Sequence, residues 1–200
     1  MERLYFIRHG QRASKSEDTL LSDEGKKQAE LTGKYLSSLS DISLIYASPL
    51  IRAQQTAEII SNALNLSIQT DARLTERMRW GDRIGESYNE FIREWNKTSI
   101  NRNYEPPMGD SSYNVGNRVK ALADEISNNQ RVVIVSHSGA IGDFLRNVFD
   151  EKLLNFKTDP ESSIRYIEIL ECSITEINKE RNEFKLKRIN DTSHLETPVI

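Results

Sequence analysis

Residues 131–140 read Arg131-Val-Val-Ile-Val-Ser136-His137-Ser-Gly-Ala140, and this stretch decides the fold. An unbroken β-branched run has no polar face, which suits a central strand covered on both sides. The residues after His137 then open a helical pattern that reaches Phe149. A buried strand that turns directly into a helix is the building unit of a parallel α/β sheet.

The same grammar extends outward. Leu4 to Ile7 is a short apolar run ending at Arg8-His9-Gly10. Ile42 to Tyr46 runs into Ser48-Pro49, a cap residue and a first-turn proline, followed by a helix with Leu50, Ala53, Ala57, Ile60 and Leu64 on one face. Thr19 to Ser38 has helical spacing, with Ser22 or Asp23 as its cap, and Val115 to Ser127 carries Val119, Leu122, Ala123 and Ile126 as an apolar stripe. Between them, residues 74–112 are irregular, with Gly81, Gly85, Pro106, Pro107 and Gly109 and one short helix expected at Tyr88–Trp95. Tyr166–Leu170, Ser173–Asn178 and Phe184–Ile189 read as strands, the last two joined by a turn at Lys179–Asn182. The expectation is one domain over residues 1–200: a three-layer α/β sandwich. Its sheet is mostly parallel with helices on both faces and an antiparallel edge, and a cap-like insertion occupies about 74–112.

Composition narrows the function. The chain has 200 residues, 37% hydrophobic and 28% charged, enough apolar mass for a core. Basic residues number 27 and acidic ones 30, a net charge of −3, which disfavours a nucleic-acid or anionic-membrane surface. No run approaches the roughly 18 apolar residues of a spanning helix, and the N-terminus lacks the apolar core of a signal peptide. A cytoplasmic protein is expected. The single cysteine, Cys172, rules out an intramolecular disulfide or a multi-cysteine zinc site.

Three positions share one setting. His9 ends the first strand, His137 ends the Val-rich strand, and Arg52 stands in the first turn of the helix after the second strand. In an open α/β sheet the carboxyl ends of the strands form the ligand-binding rim, so these side chains should meet, with Arg8 beside them. Paired histidines and arginines at helix N-termini describe an oxyanion pocket. Guanidiniums would repel a divalent ion, and no His-x-His or His-Glu-x-x-His spacing occurs, so neither a metal nor a cofactor is expected. Flanking arginines would keep an imidazole neutral and nucleophilic.

Arg8-His9-Gly10 after the first strand resembles the signature of the histidine phosphatase superfamily, the phosphoglycerate mutase-like proteins. Supporting segments follow in family order: Leu21-Ser-Asp-Glu-Gly25 with Gln28-Ala29, Ser48-Pro-Leu-Ile-Arg52-Ala-Gln-Gln-Thr56-Ala57, Leu74-Thr-Glu76-Arg77 and Val135-Ser-His137-Ser-Gly139. The resemblance implies His9 as the phosphorylated nucleophile and Glu76 as proton donor, with Asp82 as the alternative acid. It also implies Arg8, Gly10, Gln11, Arg52, His137 and Ser138 around the phosphate, with Arg77 a further candidate. Arg12, Arg77, Arg79 and Arg83 form either a solvated face or the seat of a second substrate anion. Trp80, Tyr88 and Trp95 are expected to pack the cap, His194 to be a tail residue, and Cys172 a small buried one.

Two departures weigh against a mutase. Arg12 replaces the small polar residue usual after the signature, in Gln11-Arg12-Ala13-Ser14-Lys15, and the stretch between Glu76 and His137 is short. A mutase must shelter its phosphohistidine from water, and a short cap favours hydrolysis. The leading expectation is a metal-independent phosphatase acting on a small phosphorylated metabolite or a phosphoprotein. Phosphoglycerate mutase is the enzyme alternative, and a non-hydrolysing phospho-ligand-binding module is the reading outside enzymes.

Overall fold

Strand alternation sorts the core into two layers. In β1 (Glu2–Arg8), Leu4 and Phe6 face one side of the sheet and Tyr5 and Ile7 the other. In β4 (Arg131–Ser136), Val132 and Ile134 join the first side, Val133 and Val135 the second. Helices α1 (Asp23–Ser37) and α2 (Ile51–Leu64) cover the Tyr5 side, bringing Leu36, Ala53, Ala57 and Ile60. Helices α4 (Ser112–Glu125) and α5 (Ser138–Val148) cover the Phe6 side, bringing Val119, Leu122, Ile141 and Phe144. Each fully buried large apolar side chain contributes roughly 1.5–3 kcal/mol, so the double cover explains why β4 carries no polar alternation. The computed structural model describes residues 1–14, 18–127, 129–160, 162–181 and 183–196.

With β2 (Ile42–Ala47), β3 (Ile68–Thr70), β7 (Ile174–Glu180) and β8 (Glu183–Asp191), the six strands run in the order β3-β2-β4-β1-β7-β8. The first four are parallel to their neighbours, while β7 is antiparallel to β1 and β8 to β7. This is the expected mostly parallel sheet with an antiparallel edge.

Several boundaries differ from the sequence reading. The first helix starts at Asp23 rather than Thr19, because Leu21 pairs with Arg12 in an antiparallel bridge and Ser22 then caps the helix. The second helix starts at Ile51, and Ser48 does not cap it; its hydroxyl is engaged elsewhere. Helix α3 (Tyr88–Ile100) runs beyond Trp95 from a Ser87–Glu90 capping box. The strand expected at Tyr166–Leu170 is the shorter β6 (Arg165–Ile167). It leaves the main sheet and pairs with β5 (Phe156–Thr158), which the sequence reading had not found. Strand β7 runs on to Glu180 and β8 starts at Glu183, so Lys179 and Glu180 belong to a strand, and Asn182 of the expected turn lies outside the described residues. Among the described residues no helix is long and apolar enough to cross a membrane.

Candidate active site

Register brings the two histidines together. Strands β1 and β4 are parallel neighbours with Arg8 opposite Ser136, and the His9 amide donates to the Ser136 carbonyl oxygen at 3.0 Å. His9 and His137 are the next residues on each strand, and both continue the side marked by Ile7 and Val135. Their ring centroids lie 5.2 Å apart. On that side Arg52, in the first turn of α2, donates from Nε to His9 Nε2 at 3.1 Å. His9, Arg52 and His137 are all buried.

The hydrogen bonds set the tautomer of His9. Nδ1 lies 2.8 Å from the Gly10 carbonyl oxygen, which can only accept, so Nδ1 carries the hydrogen and Nε2 keeps its lone pair. Burial holds the His9 pKa well below the usual histidine range, with the cations of Arg52 and Arg8 adding to the effect. His137 is displaced the same way by burial first and Arg52 next. Both rings are therefore neutral at pH 7. His137 Nε2 meets the Ser48 hydroxyl at 2.8 Å, and among the described residues its buried Nδ1 has no partner.

Gly10 sits where backbone meets backbone. A Cβ there would come within 2.5 Å of the Gly25 carbonyl oxygen, so the loop can lie on the start of α1 only with glycine at this position. The Gly10 amide donates to Thr56 on α2 at 3.0 Å, tying the loop after His9 to the helix that carries Arg52. Gln11 points away into a bond with Ser22 at 2.8 Å.

Carboxylates accept from amides at the starts of both α2 and α5. Asp18 accepts from the Ile51 amide at 2.9 Å and from Arg52 Nη1 at 3.0 Å, fixing the guanidinium from the side away from His9 Nε2. Glu76 accepts from the Ala140 amide at 3.0 Å and the Gly139 amide at 3.2 Å at the start of α5, and from the Arg77 amide at 2.9 Å. The loop carrying Glu76 is held by Arg118, which donates to the carbonyl oxygens of Arg73 and Thr75. Asp18 and Arg118 went unnoticed in the sequence, and Ser48 was read there only as a helix cap and motif residue. Asp18 precedes the first helix as a capping residue would, and only the tertiary fold shows that it caps a different one.

One cavity of about 190 Å³ holds His9, Arg52 and Glu76 together with Ser138, Arg12 and Arg79. Its far wall is aromatic: Trp80, Tyr88, Phe91 and Trp95 stack edge to face or tilted along α3. These rings both pack on one another and face the site. Asp82 is absent from this wall and pairs with Arg79 at 2.9 Å, whereas the Glu76 carboxyl lines the cavity with His9.

Arg8 and Arg77 are placed differently from expectation. Arg8 shares the parity of Leu4 and Phe6, so its guanidinium reaches the α5 side, donating to the Ile169 carbonyl oxygen at 2.7 Å and pairing with Glu171. Arg77 is buried against Asp143 at 3.0 Å, under the Trp95 ring, and donates to Thr98 at 2.8 Å. Its charge is used inside the structure, so it braces α3 against α5. Burial pushes the Asp143 carboxyl up to about 6 despite Arg77. Arg83 lies outside the cavity near Glu86.

His194 is no free tail. Its Nε2 lies 3.0 Å from Thr32 Oγ1 and its ring 5.3 Å from that of Tyr35, docking the 193–195 turn on α1. Cys172 is buried, with burial pushing its thiol up to about 12, so it is inert.

With this geometry in place, the comparisons agree on a family. The sequence profile of the histidine phosphatase superfamily (branch 1) matches residues 4–192, and the chain belongs to that family. It is a phosphoryl-transfer enzyme fold. Among relatives, Probable phosphoglycerate mutase GpmB of Yersinia enterocolitica is 29% identical over 220 residues, covering 100% of this chain and 98% of the relative. Among solved structures, a mycobacterial glucosyl-3-phosphoglycerate phosphatase with inorganic phosphate superposes with a TM-score of 0.76 at 21% identity, covering 98% and 100% of the two chains. The phosphoserine phosphatase of Entamoeba histolytica superposes with a TM-score of 0.70 at 21% identity, covering 98% and 100%.

Proposed function

We propose that this chain hydrolyses phosphate monoesters through a phosphohistidine on His9 Nε2. The observation that carries the reading is the His9 tautomer: Nδ1 is fixed on the Gly10 carbonyl and the lone pair of Nε2 faces the cavity's cations. On binding, the phosphoryl oxygens draw the Arg52 Nε–H from Nε2 onto themselves, and His137 supplies a further polar contact. The Nε2 lone pair forms the N–P bond, the P–O ester bond breaks, and its electron pair leaves on the alkoxide oxygen, which takes a proton from Glu76. Glu76 Oε2 accepts a single amide whereas Oε1 accepts two, so Oε2 is the oxygen with room for that proton. Water then attacks phosphorus, returns a proton to Glu76, and the N–P bond breaks to restore His9.

The reading includes one domain over residues 1–200 with residues 74–112 as its cap, a cytoplasmic setting, a small phosphorylated substrate, and no metal or cofactor. Arg12 and Arg79 on the wall beside His9 would meet further negative charge on the substrate.

Replacing His9 by alanine should lower hydrolysis of p-nitrophenyl phosphate by at least about a thousandfold and abolish acid-labile labelling of the protein. Activity should be unchanged in chelator. Retained hydrolysis in His9→Ala overturns the nucleophile, and loss in chelator overturns metal independence.

The second reading is phosphoglycerate mutase, favoured by the name of the Yersinia relative. Turnover of 3-phosphoglycerate to 2-phosphoglycerate above the hydrolysis rate would establish it in place of the phosphatase.

A further inference from the structure

A second cavity of about 350 Å³ adjoins the catalytic one, and the reaction above does not use it. It lies between α3, α5 and the segment that begins with β6, and Trp95 and Ser138 wall both cavities. Four guanidiniums reach its lining: Arg8, Arg77, Arg146 and Arg165. Three have a carboxylate in ion-pairing range: Arg8 pairs with Glu171, Arg77 with Asp143, and Arg165 with Glu151.

Arg146 differs. Among the described residues it has no carboxylate within ion-pairing distance. Its Nη1 donates to the Ser99 carbonyl oxygen at 3.3 Å, and among the described residues its buried Nε–H has no acceptor. Phe156 of β5 lies 5.9 Å from the Arg146 guanidinium carbon and 4.3 Å from that of Arg165, gathering both charges at one ring. The two carboxylates on the cavity lining are already taken, Asp143 by Arg77 and Glu168 by Lys157. A cation with an unfilled buried donor, on the wall of a cavity next to a phosphoryl site, is a receptor for an anion.

We propose that this cavity is a second anion subsite, centred on Arg146, that receives a carboxylate or phosphate carried by the leaving group of the phosphomonoester. The inference rests on the phosphatase reading for the place of the scissile phosphate. The body of such a substrate would pass along Trp95, the wall common to both cavities, with one anion over His9 and the other at Arg146.

A series of ω-substituted alkyl phosphates of increasing length, ending in a carboxylate, a phosphate or a neutral amide, tests this. At one chain length the anionic ends should exceed the amide in kcat/KM by about tenfold or more. Arg146→Met should bring that ratio close to one, and Arg146→Lys should restore part of it. The carboxylate and phosphate arms show which anion the subsite prefers. No anionic advantage at any length, or a ratio unmoved in Arg146→Met, overturns the subsite. Binding of the same series to His9→Ala protein by calorimetry separates the two claims. If wild-type protein hydrolyses nothing but the anionic preference persists in binding, the phosphatase reading fails and the subsite stands.

Discussion

Glu76 is the residue on which turnover of poor leaving groups should depend. Its carboxylate is fixed by three backbone amides, so it cannot drift from the cavity wall. In Glu76→Gln the side chain still fits but has no acidic proton to give. Hydrolysis of an alkyl phosphate should fall by roughly 10²–10⁴, while p-nitrophenyl phosphate, whose leaving oxygen needs no proton, should lose far less. Equal losses on both esters would show that Glu76 only props the helix. At this scale the sequence was informative: His9, Arg52, Glu76 and His137 stand together as their motifs implied. Arg8 and Arg77 were less legible. Strand parity and a buried carboxylate on another helix set their directions, and neither follows from adjacency in the chain.

At the scale of elements, the start of α5 is where packing and chemistry meet. A Cβ on Gly139 would strike the Glu76 carboxylate and come within 2.7 Å of the Trp95 ring. Gly139→Ala should therefore leave the far-ultraviolet circular dichroism near that of the wild type while lowering kcat/KM by about a hundredfold, because the acid is displaced. Full activity would mean that the Glu76 amide contacts are dispensable. The strand–helix units around β1, β2 and β4 were readable because an unbroken apolar run and the helix after it are local signals. The neighbour relation of β1 and β4 was not, since pairing across most of the chain leaves no mark in either segment. Nor was the β5–β6 ribbon, two strands of three residues each whose pattern is too short to separate from loop.

For the whole molecule, acid should erode stability through the buried histidines. His9 and His137 have folded pKa values held well below that of an unfolded histidine, so the unfolded chain binds more protons once pH drops past about 6.5. Stability is complete above that pH and falls beneath it, by up to about 1.4 kcal/mol per pH unit for each ring. Asp143 acts in the opposite sense: its folded value of about 6 exceeds the unfolded one, so it offsets part of the loss between there and about 4. The melting temperature should decline from about pH 7 to about pH 5, and the decline should be shallower in His137→Gln. The same slope in both proteins would mean that other groups govern the acid limb.

The hydrogen bond from Arg52 to His9 has one more consequence. At rest, the electron pair that would attack phosphorus is covered by an N–H from the very group that would greet an arriving anion. Stray electrophiles without negative charge would meet a masked imidazole, whereas in the proposed reaction a phosphate ester would unmask it by drawing the guanidinium aside. On that reading, reactivity and recognition would be gated by a single contact.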